Sequence, residues 1–356
     1  MKIAIVGAGM SAAGALHFLR QYPCEVTLFE KSRGPGGRMS SKRALAGSLD
    51  LGAQYFTTRD KVFGQQVAKW QNQGLVLPWT VTPWLSQHGV LSRSDDQTQR
   101  YIGATTMHQM LSADFAGLDV HYQCKIDELS FIDSNVSSHA TGQWQLCSAQ
   151  GECYGGFDAL LLTCPPQQSR LLLEQAVLPT TQLSNKLATT IIPQLTAPLL
   201  LPCWAVLLEL STPSGVAAEA IFVKDGPACW IAKQSAKPGR HSARLTDTPL
   251  PPEQWLVHFS AEYSQLQLEN SADQLTELAT IELARVLGRS VEVAAALCHR
   301  WLYASYNTDL PPPGVLFDRQ LSLAVAGDWT LGGRVENAWL SGIKAAEALL
   351  QNKLTR

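Results

Sequence analysis

Charge of one sign is the first thing this chain is short of. Its 28 Lys and Arg stand against 30 Asp and Glu, a formal net charge of −2. So balanced a surface has no field with which to gather a polyanion, which sets nucleic acid aside as a partner. Long hydrophobic runs are also missing. The nearest approach, residues 195–210, is interrupted by Pro198 and Pro202, short of the ~20 apolar residues that a spanning helix needs. No basic stretch with an apolar core and a cleavage site precedes the first strand-like run. The expectation is a soluble, cytoplasmic protein with no membrane partner.

Metal-binding spacing is absent too. None of the 8 cysteines (Cys24, Cys124, Cys147, Cys153, Cys164, Cys203, Cys229 and Cys298) forms a C-x-x-C pair or sits at zinc-finger spacing. Several lie inside apolar runs, so reduced, buried thiols are expected. No metal cluster, nucleophile–base triad, internal repeat or low-complexity segment stands out.

What is present is concentrated at the two ends. Lys2-Ile3-Ala4-Ile5-Val6 is a short branched run, followed by Gly7-Ala8-Gly9-Met10-Ser11-Ala12, a helical pattern, a second run Val26-Thr27-Leu28-Phe29, and Glu30. This order of strand, glycine turn, helix, strand and acid is the dinucleotide-binding fingerprint. Gly7 permits the tight turn, Gly9 lets the backbone approach a pyrophosphate, and Ala12 lets helix and strand pack closely. The helix start offers N–H groups and partial positive charge to phosphates, and Ser11 adds a hydroxyl there. Glu30 is placed to accept from a ribose.

A second glycine cluster, Lys31-Ser32-Arg33-Gly34-Pro35-Gly36-Gly37-Arg38-Met39, follows directly. It resembles the second motif of the FAD-containing amine oxidase superfamily, whose arginine reaches the flavin's pyrophosphate region. By that resemblance FAD rather than NAD is the resident, and Lys31, Gly37, Arg38 and Met39 lie beside it; the alternative for Arg38 is a surface turn residue. Next, Asp50-Leu51-Gly52-Ala53-Gln54-Tyr55-Phe56 reads as a turn returning along the cofactor or as an ordinary strand. Gly52 allows close backbone approach, and Gln54, Tyr55 and Phe56 would stand near a ring system; resemblance to flavin enzymes with this Gly-Ala-Gln turn adds Ala53 and Gln54 to the FAD contacts.

Along the middle, helices are expected over 60–74, 105–115 and 271–287, the last stopped by Gly288. Strands are expected at 119–122 and 125–129; by resemblance to the two-dinucleotide-fold flavoproteins, whose strand in this position offers backbone groups to the adenine, that contact would lie near Ile126. A hairpin is expected at 144–154 and a buried strand at 158–163. From Gln167 to Gly314, recurrent strand-like stretches around Trp204, Ile221, Trp230 and Trp255 suggest a mainly antiparallel sheet forming one wall of a substrate site. His299, Trp301 and Tyr303 are candidates for that wall, although a lone histidine is more often a hydrogen-bonded core residue.

The final forty residues return to the first domain: a buried strand over 321–326, Gly327-Asp328, a glycine turn, and a helix over 335–350 with Ala338, Ser341, Gly342, Ala345 and Ala346 on one face. Asp328 would accept from a ribityl hydroxyl, cap the helix, or both. Backbone N–H groups at the start of the helix, near Arg334, Val335 and Glu336, would meet the isoalloxazine oxygen.

Taken together, 36–43, 50–56, 299–304 and 327–342 resemble the bacterial renalases, FAD enzymes of the p-hydroxybenzoate hydroxylase fold related to the amine oxidases. The resemblance runs nearly end to end, with specific terminal motifs and a looser middle. It implies a mixed α/β chain: a discontinuous Rossmann-type FAD-binding domain (1–60, 103–165 and 318–356) and an antiparallel-sheet substrate domain (61–102 and 166–317). It also implies oxidation of mis-reduced dihydro isomers of NAD(P)H to NAD(P)+, with dioxygen reoxidising the flavin and hydrogen peroxide released. Such hydride transfer needs stacking and alignment rather than a strong base. The alternatives are a flavin amine oxidase or monooxygenase, and a non-catalytic flavin-binding redox sensor. After Tyr303 the run Ser305-Tyr306-Asn307 and the prolines depart from the family pattern.

Overall fold

Branched apolar segments that read as buried strands assemble into a parallel sheet, and the alternating ones into an antiparallel sheet. Each sheet organises one of two units of the chain. In this computed structural model, which describes residues 1–44, 47–132, 142–240 and 253–354, the first unit comprises Met1–Gly37, Leu111–Leu200 and Tyr306–Arg356. The second comprises Arg38–Met110 and Leu201–Ser305.

The first unit's main sheet has the order Leu316–Asp318, Leu323–Val325, Ala159–Leu162, Lys2–Val6, Glu25–Glu30, Asp119–Tyr122. Every pairing is parallel except that of the outer strand Leu316–Asp318. Its central strands are buried on both faces, as continuous apolar runs require. The register sets Val6 beside Leu162, and Leu162 beside Val325. The three strands therefore end together, and Gly7, Thr163 and Ala326 all leave along one edge, the edge at which ligands bind in such sheets.

Helices Met10–Leu19 and Val335–Leu354 pack against each other through residues that lack bulk. A Cβ on Gly14 would stand 1.9 Å from the Trp339 carbonyl oxygen, and one on Gly342 would stand 1.8 Å from that of Ser11. The small-residue face expected of the second helix is thus its contact with the first.

Beside this sheet lie three antiparallel strands, Ile126–Ile132, Gln143–Ser148 and Cys153–Phe157. Six of the eight cysteines are free thiols as expected, but one pair departs from that expectation. The expected hairpin is there. Its register sets Cys147 directly opposite Cys153, their Cα atoms 4.1 Å apart, and the two form a disulfide. Cys229, in the second unit, is exposed rather than buried.

The second unit's seven-stranded sheet runs Val293–Tyr306, Leu200–Leu210, Gln254–Phe259, Ala228–Lys233, Ala220–Val223, Trp84–Gln87, Val90–Arg93. It is antiparallel as expected wherever consecutive segments pair, with one parallel pairing between Ala220–Val223 and Trp84–Gln87. Alternation divides its residues between two faces. One face, with Trp204, Val206, Leu208, Val257 and Phe259, meets Leu275, Ala279, Leu283 and Val286 of helix Ala272–Leu287. That helix starts with a Ser271/Gln274 capping box and stops at Gly288, φ 67°. The other face, with Ala205, Leu207 and Leu256, packs on Leu49, Leu51 and Trp301.

The helix expected over 105–115 is shorter, Gln109–Asp114. The Thr105 N–H and hydroxyl both donate to Gln109 Oε1 at 2.8 Å, and the Met107 N–H donates to Ser41 Oγ at 2.9 Å. These bonds hold the expected first turn in a loop. Among the described residues no helix is long and apolar enough to cross a membrane.

Candidate active site

In the first unit the glycine turn is held mainly by backbone. The Gly7 N–H donates to the Phe29 carbonyl at 2.8 Å. Gly7 itself has φ +106°, and a Cβ there would lie 2.7 Å from Thr163 Oγ1, so only glycine serves. Glu30, almost fully buried, accepts from the Ala8 N–H with Oε2 and from the Ser32 N–H with Oε1, both at 2.8 Å. Each oxygen keeps a lone pair for a further donor. The second glycine cluster is tied to the first by the Gly36 N–H, which donates to the Ala8 carbonyl at 2.9 Å.

Helix Met10–Leu19 starts at Gly9 with no side-chain cap, and a Cβ on Gly9 would meet nothing within 4 Å. An uncapped, unobstructed helix start is the arrangement that accepts a phosphate. Ala12 is wholly buried, and the Ser11 hydroxyl lies between the helices, 3.3 Å from Ser341 Oγ. Lys31 Nζ donates to Gln168 Oε1 at 3.2 Å. Gly37 opens the short 3₁₀ turn Gly37–Met39 with φ +52°. Ile126 is buried at the first position of its strand.

At the same sheet edge Asp328 is buried at the start of the 3₁₀ turn Asp328–Leu331, and the Gly333 N–H donates to its carbonyl at 2.8 Å. Gly332, Gly333 and Arg334 follow with φ of +88°, +84° and +80°, a left-handed run that ends where helix Val335–Leu354 begins. Glycine adopts that region freely and arginine does not. Val335 is half-buried and Glu336 is buried in the first helical turn.

In the second unit the Leu51–Gln54 turn is gripped from several sides. The Leu51 carbonyl accepts from Trp301 Nε1 at 3.0 Å and from His258 Nε2 at 2.9 Å. Burial drives His258 down to about 4, so the ring is neutral, and this bond puts its proton on Nε2. The Ala53 N–H donates to the Arg38 carbonyl at 2.9 Å, and a Cβ on Gly52 would strike that same oxygen. Arg38 reaches the Ala304 carbonyl with Nη1 at 3.1 Å. Met39 is buried.

Below the turn, Gln54 Nε2 donates to the Asp50 and Gly52 carbonyls, and Gln54 Oε1 accepts from Lys237 Nζ at 3.0 Å and Gln234 Nε2 at 2.6 Å. The side chain of Gln54 is thereby fully used within the protein. Lys237 Nζ also meets Asp50 Oδ2 at 3.2 Å and the Gln54 carbonyl at 3.0 Å. Arg240 Nε meets Asp50 Oδ2 at 3.0 Å. Burial would raise the Asp50 carboxyl, but Lys237, Arg240 and the Ser41 hydroxyl outweigh it and hold the group below the usual carboxylate range.

His299, Trp301 and Tyr303 alternate along Val293–Tyr306 and share one face of that strand. His299 and Trp301 meet edge to face, centroids 4.3 Å apart. Lys42 Nζ lies 3.0 Å from His299 Nδ1. Burial first, and then the Lys42 charge, bring His299 down to about 4. The imidazole is neutral at pH 7, accepting at Nδ1 and keeping a proton on Nε2. This face therefore presents an ammonium, an imidazole donor and an indole.

With this geometry in hand, two family models match the chain. One, described as an NAD(P)-binding Rossmann-like domain, covers residues 5–68; the other, described as a flavin-containing amine oxidoreductase, covers residues 83–350. The chain belongs to the flavin-containing amine oxidoreductase family. It is an FAD-dependent oxidoreductase of mixed α/β fold. The hydroxyneurosporene desaturase of Cereibacter sphaeroides is 35% identical over 96 residues, a match that spans 26% of this chain and 19% of that protein. The chain thus aligns with only about a fifth of that curated relative's length. Two solved structures share the fold at 12% identity. The cyclohexylamine oxidase of Brevibacterium oxydans IH-35A has a TM-score of 0.69, covering 100% of this chain and 99% of that one. A protein of Exiguobacterium sp. 255-15, whose name proposes a protoporphyrinogen oxidase, has 0.70, covering 98% and 99%.

The amine oxidoreductase residues fit an FAD: the open, uncapped helix start at Gly9 suits a diphosphate, and the part-satisfied Glu30 carboxylate suits a ribose. Sequence reasoning missed Asp50, Gln234, Lys237 and Arg240. The one available signal was Lys237-Pro238-Gly239-Arg240, two cations on a proline–glycine turn, which reads more naturally as solvated surface. Among the described residues no group of three or more His, Cys, Asp or Glu is placed to hold a metal.

Proposed function

We propose that this family member is a renalase-type oxidase of dihydropyridine nucleotides. A hydride leaves ring position two or six of a mis-reduced NAD(P)H isomer, NAD(P)+ departs, and dioxygen takes up that hydride equivalent and one proton from solvent as hydrogen peroxide. Bound FAD supplies the electron relay between the two. In this reading Gly7, Gly9, Ala12 and the Ser11 N–H receive the diphosphate, with Arg38 and Lys31 adding charge. Glu30 accepts from the ribose, and Ile126 meets the adenine. Asp328 accepts from the ribityl chain, and the N–H groups at Val335 and Glu336 meet the isoalloxazine. The backbone of Gly37, Met39, Gly52, Ala53 and Gln54 lines the rings.

The observation that carries the reading is the Lys42–His299–Trp301 face. An ammonium beside a neutral imidazole donor favours an anionic, acceptor-rich partner and disfavours an alkylammonium. The indole offers a planar surface for a planar ring. A dinucleotide has both the negative charge and the ring. No base is demanded of the protein, because the departing pyridinium is a stable aromatic cation. The chain's contribution is alignment and exclusion of water.

The family description and the cyclohexylamine oxidase fold favour a second reading, oxidation of an amine. Against it, the aromatic faces near the turn are already occupied: Arg100 lies over Tyr55 at 5.0 Å and Lys237 over Trp79 at 5.3 Å. Anaerobic stopped-flow separates the two. Borohydride-treated NAD+, rich in the minor dihydro isomers, is expected to bleach the flavin quickly, while ordinary NADH and cyclohexylamine bleach it slowly. Equal, slow bleaching by every isomer would sink the renalase reading, and fast bleaching by the amine would replace it. Air reoxidation with peroxide release distinguishes either enzyme from a non-catalytic sensor.

A further inference from the structure

Lys237 is wholly buried, as is Asp50, and Arg240 is nearly so. Buried lysines are rare unless every donor is met. Here all three are: one goes to Asp50 and two go to the oxygens of Gln54. The turn that presents Lys237 is fixed as well, because Gly239 has φ +72°, a Cβ there would lie 1.8 Å from the Ala104 carbonyl oxygen, and Arg240 Nη1 donates to the Gly103 carbonyl at 2.8 Å. The neighbouring groups are Gln234, the Trp79 ring, and the imidazoles of His108 and His258. Burial holds both imidazoles below their ordinary range, so they are uncharged. One carboxylate against two cations leaves a single positive charge enclosed under the Leu51–Gln54 turn.

We propose that Lys237 is a positioning residue for this turn, and that with Arg240 it leaves an uncompensated buried cation that favours the negative charge of a reduced flavin. The inference rests on the reading that the Gly52–Gln54 backbone lines the flavin rings, and it is independent of which substrate delivers the hydride. Its physical basis is that a charge enclosed at low dielectric is screened far less than a surface one. Cofactor electronics respond to charge near the ring nitrogens. Burial, only partly offset by Asp50, brings Lys237 down to about 8, so the ammonium persists at neutral pH.

Two substitutions of opposite sign test it on the FAD-loaded enzyme: Lys237→Met removes a cation and Asp50→Asn removes the anion. The readout is sulfite affinity, measured as loss of visible flavin absorbance, because sulfite adds a negative charge to the oxidised ring without any substrate. Lys237→Met is expected to weaken sulfite binding about tenfold or more, equivalent to about 30 mV in a two-electron potential. Asp50→Asn is expected to tighten it, and Lys237→Arg to stay near wild type. No change in either charge variant, or a shift of both in the same direction, overturns the proposal in favour of packing alone. Should Lys237→Met fail to hold flavin, Asp50→Asn decides by itself: tighter sulfite binding supports the proposal and unchanged or weaker binding overturns it. Failure of the dihydropyridine assay would leave these sulfite results unaffected, so the two readings fall separately.

Discussion

The two units fix their glycine turns by opposite means. In the first, the Gly7–Ser11 turn is held by strand carbonyls, one carboxylate and a helix contact made possible by missing side chains. In the second, the Leu51–Gln54 turn rests on a carboxylate, two cations and two amides withdrawn from water. The first arrangement fails when an atom is added. The second, equally closed to an added atom at Gly52, fails also when one is taken away.

The largest effect should come from taking away. Asp50→Ala strands Lys237 and Arg240 without their anion, a loss of the kind that costs about 3–5 kcal/mol; urea unfolding measures it, and a cost under ~1 kcal/mol would mean the buried charges find other partners. Adding comes next. Gly342→Ala places a methyl where 1.8 Å separates it from the Ser11 oxygen, and overpacking of this sort costs about 1–3 kcal/mol. An unchanged melting temperature would show that the helices can part freely.

How much of this contrast was legible in the sequence follows from how local each turn is. Gly7, Gly9 and Glu30 lie within one strand–helix–strand segment, so their pattern states its own geometry. The small face around Gly342 was readable too, but the identity of its partner was not, because only the sheet order sets that helix against Met10–Leu19. Lys237 and Arg240 were invisible for a further reason: Arg240 meets Asp50 across 190 residues of sequence, and nothing local distinguishes a cation that topology will bury from one left in water. The Cys147–Cys153 pairing depended similarly on register, which a hairpin pattern does not fix. The foreshortened Gln109–Asp114 helix turned on side-chain bonds from Thr105 and Ser41 that helical periodicity does not report.

A third measurement probes the second unit with protons. His258 in the fold takes its proton near 4 rather than 6.5, so the unfolded chain binds more protons between those values. Stability from this group is therefore full above about 6.5 and lost as pH falls toward 4. His299 acts in the same direction, discounted because its ring is half exposed. The melting temperature should fall across that window, and His258→Gln should flatten the fall; an equal slope in the variant would assign the acid sensitivity elsewhere. The smallest effect is a control away from the buried charges. Asp60 caps helix Lys61–Asn72 through the Val62 and Phe63 N–H groups, and Asp60→Ala should cost about 1 kcal/mol with flavin retention intact. Loss of flavin in that variant would mean the second unit does not confine its damage.

The parallel sheet has an order of assembly written into it. Lys2–Val6 is made before its sheet partners, and its sheet receives the Leu323–Val325 strand, and its following helix receives Val335–Leu354, only after every residue of the antiparallel unit has been translated. Until then the strand edge of Ala159–Leu162 and the bare glycine face of the first helix stay uncovered. The parallel sheet and its helix pair are therefore completed only after the intervening antiparallel unit has been made, which gives this sheet long-range, slowly closing contacts.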